Sequence, residues 1–285
     1  MFMAAFAGVT LAPPLALVMQ LFVPSSIWSA ALLEETAKAI VIFGVFRVFR
    51  FEIDGSVDAL IYSLLVAMGF GFTENTFYFA AHATVPLDDL AIVSPLVQRF
   101  SAMTGHLAFT GMTGVGLALW LDGGPRLRIP MGFAGAVVLH YWWDAVTESG
   151  PLMFWIRSVP LCLVLLFAFV RFRRHEALVI HEYSAYCSTI QCYVEGEQEE
   201  FTDATRRFEI IAELITAPWN SENRARYRHF CAVSQLAFLR RNISRGAVRS
   251  GPWAELREQQ LIRQIRETDK RLRRDGSVPG STSSA

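Results

Sequence analysis

Residues 27–49 read IWSAALLEETAKAIVIFGVFRVF, an apolar run of membrane-spanning length with two glutamates and a lysine near its middle. About twenty apolar residues are needed to cross a hydrocarbon core of roughly 30 Å. A charged side chain inside such a run is energetically costly, so it generally faces the interior of a helix bundle and serves a function. Glu34, Glu35 and Lys38 therefore predict both a membrane helix and a buried polar site on it.

The composition divides the chain near Arg171. Of its 285 residues, 53% are hydrophobic and 18% are charged, with a net charge of zero. Residues 1–170 carry seven Lys and Arg against eleven Asp and Glu, whereas residues 171–285 carry nineteen against fifteen. We predict a transmembrane domain over 1–170, a helical cytoplasmic domain over 171–274 and a disordered tail over 275–285. The four cysteines lack a metal-binding spacing and are predicted to be free thiols.

Six segments are apolar and long enough to predict membrane helices, once their embedded charges are tolerated. They cover residues 3–23, 27–49, 57–82, 98–121, 128–149 and 151–170. Pro13 and Pro14 predict a kink or break in the first of them. The segment 84–97 is ambiguous and is interpreted as lying along the membrane interface. The predicted fold class is all-α, a polytopic transmembrane helix bundle with a helical cytoplasmic extension.

Charged residues in the connections predict the orientation of the bundle. Basic residues follow the second, fourth and sixth predicted spans, whereas the alternate connections carry Asp88 and Asp89 and few basic residues. Because cytoplasmic connections are enriched in Lys and Arg, both termini are predicted to be cytoplasmic, in a multi-pass protein of the cell inner membrane.

The same orientation predicts a common depth for four polar residues on successive spans. At about 1.5 Å of rise per residue, Glu34, Glu74, His106 and His140 all lie roughly 10–14 Å below the outer boundary of the membrane. Their helices run in alternating directions, so scattered structural residues are not expected to coincide in this way. The coincidence predicts one site in the outer leaflet.

Glu34 and Lys38 are four residues apart and share a helix face, so they are able to form an ion pair. One lysine cannot neutralise both Glu34 and Glu35. A carboxylate left over in a low-dielectric site suits general-base work on a water molecule. The alternative is an intramembrane ion pair that only holds helices together.

His140 and Asp144 repeat the four-residue spacing and form half of a metal site, with N and O donors suited to zinc. His106 on another span is the predicted third ligand and Glu74 a fourth. Taken by themselves, His140 and Asp144 slightly favour the alternative to a metal site, in which the carboxylate only orients the imidazole and no metal is bound. Asn75 either donates to a developing oxyanion or makes a helix–helix hydrogen bond, which is the commoner use.

Four motifs follow one another on successive predicted spans. They are Glu34-Glu35-Thr-Ala-Lys38 (EExxK), Phe70-Gly-Phe-Thr-Glu74-Asn75 (FxxxEN), a single histidine, His106, after Arg99, and His140-Tyr-Trp-Trp-Asp144 (HxxWD). In this order they resemble the motifs of the PrsW intramembrane proteases and, more distantly, those of the type II CAAX prenyl endopeptidases. The resemblance covers roughly residues 27–149.

The resemblance implies a membrane-embedded peptidase, usually described as a metalloprotease, that cuts a single-span membrane protein such as an anti-sigma factor on its extracytoplasmic side. It implies a catalytic set of the paired glutamates and the two histidines, here Glu34, Glu35, His106 and His140. The related CAAX enzymes leave open whether a metal is bound.

The favoured interpretation is a peptidase in which Glu34 takes a proton from a water on a divalent metal, most simply zinc, held by His106 and His140. Glu35 either shares the role of general base or orients the catalytic residues without acting on the water itself. The supporting residues are Asp144 or Glu74 as further ligands, with Lys38 and Asn75 near the developing charge. Two other interpretations are a non-catalytic membrane scaffold and a proton-coupled transporter. Inverted repeats in the sequence would favour the transporter.

The polar region predicts three helices. Asp203 caps one that runs through Ile215, Ser221 caps one that runs to about Ile243, and Ser250-Gly-Pro opens the third. The basic stretch 270–274 is interpreted as a solvated helix end, so no nucleic-acid partner is expected. A regulatory or partner-docking module fits this region.

Overall fold

The computed structural model describes residues 1–49, 53, 55–82, 93–145, 151–189, 209–210, 212–214, 216–217, 220–246 and 250–274. Within these ranges the regular structure is helical, which confirms the predicted all-α class. The chain divides into two compact units, Met1–Phe172 and Arg173–Ala285, each with an apolar core of its own.

The helices of the first unit follow the predicted spans closely. They are α1 (Phe2–Thr10), α2 (Ala12–Gln20), α3 (Ile27–Val48), α4 (Ser56–His82), α5 (Val93–Leu121), α6 (Arg128–Ala145) and the first part of α7 (Pro151–Thr189). The break predicted in the first span is confirmed at Leu11, and the proline pair lies in the first turn of α2. Much of the ambiguous segment 84–97 lies outside the described residues, although α5 already begins at Val93.

The start of α3 sets the position of the charged residues along it. The Ser26 side chain accepts from the backbone N–H of Ser29 at 3.0 Å, and the Ser29 hydroxyl accepts from the Ser26 backbone N–H at 2.8 Å. This reciprocal cap satisfies two of the N–H groups that a helix start leaves unpaired. Glu34 and Glu35 then lie two turns into the helix.

Helices α3 to α6 surround a common interior. α4 packs along α5, α5 along α6, and α3 closes the arrangement against α6 and α4. The α5–α6 crossing depends on small residues, because a Cβ atom on Gly132 would lie 2.6 Å from the Met112 carbonyl oxygen. The backbones therefore approach closely, which brings side chains of α5 and α6 within reach of each other.

Two stretches of the described residues are long and apolar enough to cross a membrane, Phe2–Gln20 and Ser56–Ala81. The other four predicted spans stay predictions. One of these four spans corresponds to α3, whose hydropathy is lowered by the charged residues of the predicted site, Glu34, Glu35 and Lys38.

The second unit contains the last part of α7 together with α8 (Ser221–Ser244) and α9 (Pro252–Arg274). Its core includes Ile180 of α7, Leu236 of α8 and Leu261 of α9, each fully buried. The predicted second and third helices are confirmed. The cap of α8 is Asn220 rather than Ser221, since the Asn220 side chain accepts from the Glu222 N–H at 2.8 Å.

Some predictions fall on residues whose structure is not described. Both ends of the first predicted polar helix, Asp203 and Ile215, lie there, as does the tail 275–285. Of the cysteines, Cys162 and Cys231 are free thiols.

Candidate active site

Four helices bring the predicted polar residues of the first unit into one cluster. α3 contributes Glu34, Glu35 and Lys38, α4 contributes Glu74 and Asn75, α5 contributes His106, and α6 contributes His140 and Asp144. Four of these side chains are buried: Glu35, Lys38, His106 and His140. Buried charged and polar groups persist only when partners compensate for their lost hydration, so their contacts define the site.

Lys38 is the centre of this cluster. Its ammonium nitrogen, Nζ, donates to Glu35 Oε1 at 2.8 Å and to His106 Nδ1 at 2.9 Å. The same nitrogen lies 3.6 Å from Glu34 Oε2 and 4.0 Å from the centroid of the Phe70 ring. A fully buried cation is thereby surrounded by an anion, an imidazole and an aromatic face.

Both carboxylate oxygens of Glu35 are hydrogen-bonded. Oε1 accepts from Lys38 and, at 3.0 Å, from Nδ1 of His140, while Oε2 accepts from the Thr110 hydroxyl at 2.9 Å. The side chain is fully buried. Three donors therefore hold this carboxylate in place.

His140 is oriented by this carboxylate. Because Nδ1 donates to Glu35, the other ring nitrogen, Nε2, presents its lone pair, which is the arrangement that metal-binding histidines adopt. Nε2 lies 3.8 Å from Glu34 Oε2 and 3.5 Å from Asp144 Oδ2. The Phe109 ring stacks on the imidazole with centroids 4.8 Å apart.

His106 links the lysine to a second acidic residue. Its Nδ1 contacts Lys38 and its Nε2 contacts Glu74 Oε2. The other Glu74 oxygen, Oε1, accepts from Arg99 at 3.3 Å. Asn75 donates to the backbone carbonyl of Arg99 at 3.2 Å, which is the helix–helix use of the two foreseen for it.

Glu34 differs from every other carboxylate of the cluster. Its Oε2 atom is buried and accepts no hydrogen bond from the described residues. A buried carboxylate oxygen without a donor is unfavourable by about 1–3 kcal/mol or more, which a cation or a proton at that position would relieve. Together with the two histidines, Glu34 forms a group whose ligand atoms all lie within 4.8 Å of one another. Two imidazoles and carboxylates are donors that zinc prefers, so these residues fit a divalent ion.

This group is not the set predicted from the sequence. That set joined His106 and His140 to Asp144 and Glu74. In the structure Asp144 lies against His140 and Glu74 lies against His106, whereas Glu34 is the carboxylate close to both.

Three residues of the cluster were missed or misread. Thr110 follows His106 by four residues, so helical spacing alone would have placed its hydroxyl on the same face. Arg99 entered the sequence analysis only as the arginine that precedes His106, yet its guanidinium pairs with Glu74 and lies 4.0 Å from the Tyr78 ring centroid. Phe109 gave no signal, because an aromatic residue in an apolar helix is unremarkable by itself.

The comparison with known families agrees with the site. The model described as "PrsW family intramembrane metalloprotease" matches residues 1–172, which include every residue of the cluster. No curated protein and no solved structure matches the chain. The match covers more than half of the chain and contains all four motifs in order, so this chain belongs to the PrsW family of intramembrane metalloproteases.

Proposed function

We propose that the chain hydrolyses a peptide bond of a membrane protein near the extracytoplasmic face, with Glu34 as the proton acceptor. The observation that carries this proposal is the Glu34 Oε2 atom, which is buried, lacks a donor and lies beside the lone-pair nitrogen of His140. A general base must be close to its water and must have a free lone pair. Glu35 fits this role less well because three donors already engage its two oxygens and its side chain is fully buried.

The metal belongs between the two histidines in this proposal. His106 and His140 would hold a divalent ion, most simply zinc, with Asp144 beside His140 and Glu74 beside His106 as the further ligands. Because Nδ1 of His106 accepts from Lys38, its Nε2 carries the ring proton towards Glu74, so His106 would bind the ion only after losing that proton. When bound, such an ion supplies Lewis acidity to a water and to the scissile carbonyl.

The chain's own residues then have distinct duties. Glu34 accepts the proton of the water, and Lys38, whose Nζ lies 3.6 Å away, stabilises the carboxylate before that transfer. Glu35 keeps the Nε2 lone pair of His140 directed at the site, and Lys38 holds the ring of His106 through Nδ1.

We also propose that the chain crosses the cell inner membrane six times, with both termini in the cytoplasm. Charge placement in the connections supports this topology. The described part of the sixth span supports it further, because Leu163, Leu166 and Phe167 of α7 are each more than half exposed. A contiguous apolar surface of this kind is typical of lipid contact. The second unit is then cytoplasmic, with a regulatory or docking role.

The proposed substrate is a single-span membrane protein, such as an anti-sigma factor. Family membership supports a membrane protein as substrate. The depth of Glu34, Glu74, His106 and His140, roughly 10–14 Å below the outer boundary at about 1.5 Å per residue, supports cleavage on the extracytoplasmic side.

The test compares membrane proteomes of cells that express wild-type protein, Glu34→Gln or the control Glu267→Gln, a substitution at an exposed glutamate of α9. We expect one membrane protein to accumulate uncut with Glu34→Gln only. With that protein as substrate, the purified variant should be about 10²- to 10⁴-fold slower than wild type, the range that a general base contributes.

Metal analysis of the same preparations separates two roles for Glu34. If Glu34 is the base, the Gln variant keeps the zinc content of wild type. Loss of zinc from this variant would make Glu34 a ligand instead. Equal cleavage by wild type and Glu34→Gln would overturn the proposed function.

A further inference from the structure

We infer that Thr110 is a positioning residue of the active site, which acts on the reaction through Glu35 and His140. The inference rests on the proposed function and extends it to a residue outside the four motifs. Thr110 is fully buried on α5, one turn beyond His106.

The hydroxyl of Thr110 is directed at the site rather than at its own helix. It donates to Glu35 Oε2 at 2.9 Å, across the interface between α5 and α3. The hydroxyls of Thr36 and Thr76, by contrast, donate to the carbonyl four residues earlier, at 2.6 and 2.8 Å. Such back-bonding is the ordinary use of threonine within a helix. Thr110 makes a tertiary contact instead.

This hydrogen bond determines which way the Glu35 carboxylate faces. Lys38 and His140 both donate to Oε1, at 2.8 and 3.0 Å, so these contacts leave the carboxylate free to pivot about that atom. The donation from Thr110 to Oε2 removes that freedom. Without it, a fully buried oxygen would lose its donor, and the carboxylate would turn to find another.

Rotation of the Glu35 carboxylate would directly change the orientation of the His140 ring. The Nδ1–H donation of His140 to Oε1 sets the plane of its ring and keeps its Nε2 lone pair directed towards the site. Partners that orient metal-ligating histidines contribute about 10- to 100-fold to metal affinity. Thr110 lies one contact further from the metal site than Glu35, because it orients the Glu35 carboxylate that in turn orients His140.

α5 offers a matched control in Thr113. This residue is also buried, at 1% exposure, and its hydroxyl oxygen has no hydrogen-bond partner among the described residues. Valine has nearly the shape of threonine without the hydroxyl. Thr110→Val and Thr113→Val therefore make the same chemical change in the same helix, but only the first removes a donor from Glu35.

The experiment measures Zn²⁺ affinity, by chelator competition on detergent-purified full-length protein, and turnover of the membrane protein that accumulates with Glu34→Gln. We expect Thr110→Val to bind Zn²⁺ about 10- to 100-fold more weakly than wild type and to lose turnover at saturating substrate. Thr110→Ser, which keeps the hydroxyl, and Thr113→Val should both stay within about threefold of wild type, because neither removes the donor to Glu35 Oε2. Thermal unfolding of all four proteins shows whether each variant is folded.

Three results decide the inference. Weak Zn²⁺ binding by folded Thr110→Val, restored in Thr110→Ser, supports it. Equal Zn²⁺ affinity and turnover in Thr110→Val and Thr113→Val overturns it, while the Glu34 proposal stands. Wild-type protein that binds Zn²⁺ no better than His140→Ala overturns the proposed metal site and this inference with it.

Discussion

The two units of this molecule bury polar side chains in different ways. In the first, Glu35, Lys38, His106 and His140 come from three helices and share partners, so that one lysine and one carboxylate connect the whole set. In the second, buried His229 meets Thr268 across the α8–α9 contact at 2.9 Å, and buried Arg241 meets His175 at 2.9 Å.

The difference concerns what remains available after the hydrogen bonds are made. In the first unit the shared network surrounds a buried carboxylate oxygen of Glu34 that has no donor. The group of three residues with metal-ligand spacing that is found among the described residues also lies in the first unit. It consists of Glu34, His106 and His140. The buried polar contacts of the second unit join helices in pairs, whereas the network of the first unit surrounds a carboxylate oxygen that is available to a proton or a cation.

The strongest way to break this contrast is to remove Lys38. Lys38→Met leaves Glu35 as a buried carboxylate without its countercharge, and such losses cost about 3–5 kcal/mol. We expect a large fall in the melting temperature of the detergent-purified protein, measured by intrinsic fluorescence.

The double variant Lys38→Met with Glu35→Gln is the control for that change. Removing both charges should recover much of the lost stability, since a buried pair replaced as a whole is often nearly neutral. A Lys38→Met protein as stable as wild type would show that Lys38 is not the centre of the network.

The second test compares two equally buried histidines, His140 and His229, each at 3% exposure. Alanine at either position removes a buried side chain together with its hydrogen bond to a neighbouring helix and should destabilise by about 1–3 kcal/mol. Zinc content and substrate cleavage should be lost only in His140→Ala. If His229→Ala lost zinc to the same extent, the distinction between the two units would not hold.

The smallest effect is expected at a partly exposed ion pair of the second unit. Arg226 and Glu213 lie 2.7 Å apart, with side chains 26% and 40% exposed. Water and salt screen such a pair, so Arg226→Ala should cost at most about 1 kcal/mol. Unfolding midpoints of the two proteins should nearly coincide, and cleavage should be unchanged. A loss as large as that of Lys38→Met would mean that the second unit depends on convergent charges as well.

The helices were largely predictable because they depend on local chemistry. Apolar runs of spanning length, the proline pair after Leu11 and the turn at Ser250-Gly-Pro each act within a few residues, and the observed ends follow them. The prediction was less good where a helix continues without local reason to stop. α7 runs on to Thr189, beyond the predicted end of the sixth span at residue 170.

Most of the residues that meet in the cluster were named from the sequence, but their arrangement was not. Periodicity and depth grouped the glutamates with the histidines, and the structure brings them together. Glu34 and Glu35 are neighbours of identical chemistry, so no local pattern separates their roles. Only the positions of Thr110 on α5 and His140 on α6 show that one carboxylate is fully hydrogen-bonded and the other is not.

By itself, the sequence determined that this protein is helical, that its first part is apolar enough for a membrane and that charged residues collect on a few of its helices. These properties follow from side-chain transfer energies and helical spacing, which are local. The tertiary structure alone decided which partner each histidine nitrogen meets, which glutamate keeps a buried oxygen without a donor, and that Thr110 contacts Glu35. Those facts depend on distances between helices far apart in the chain, and such distances are set by how the helices pack.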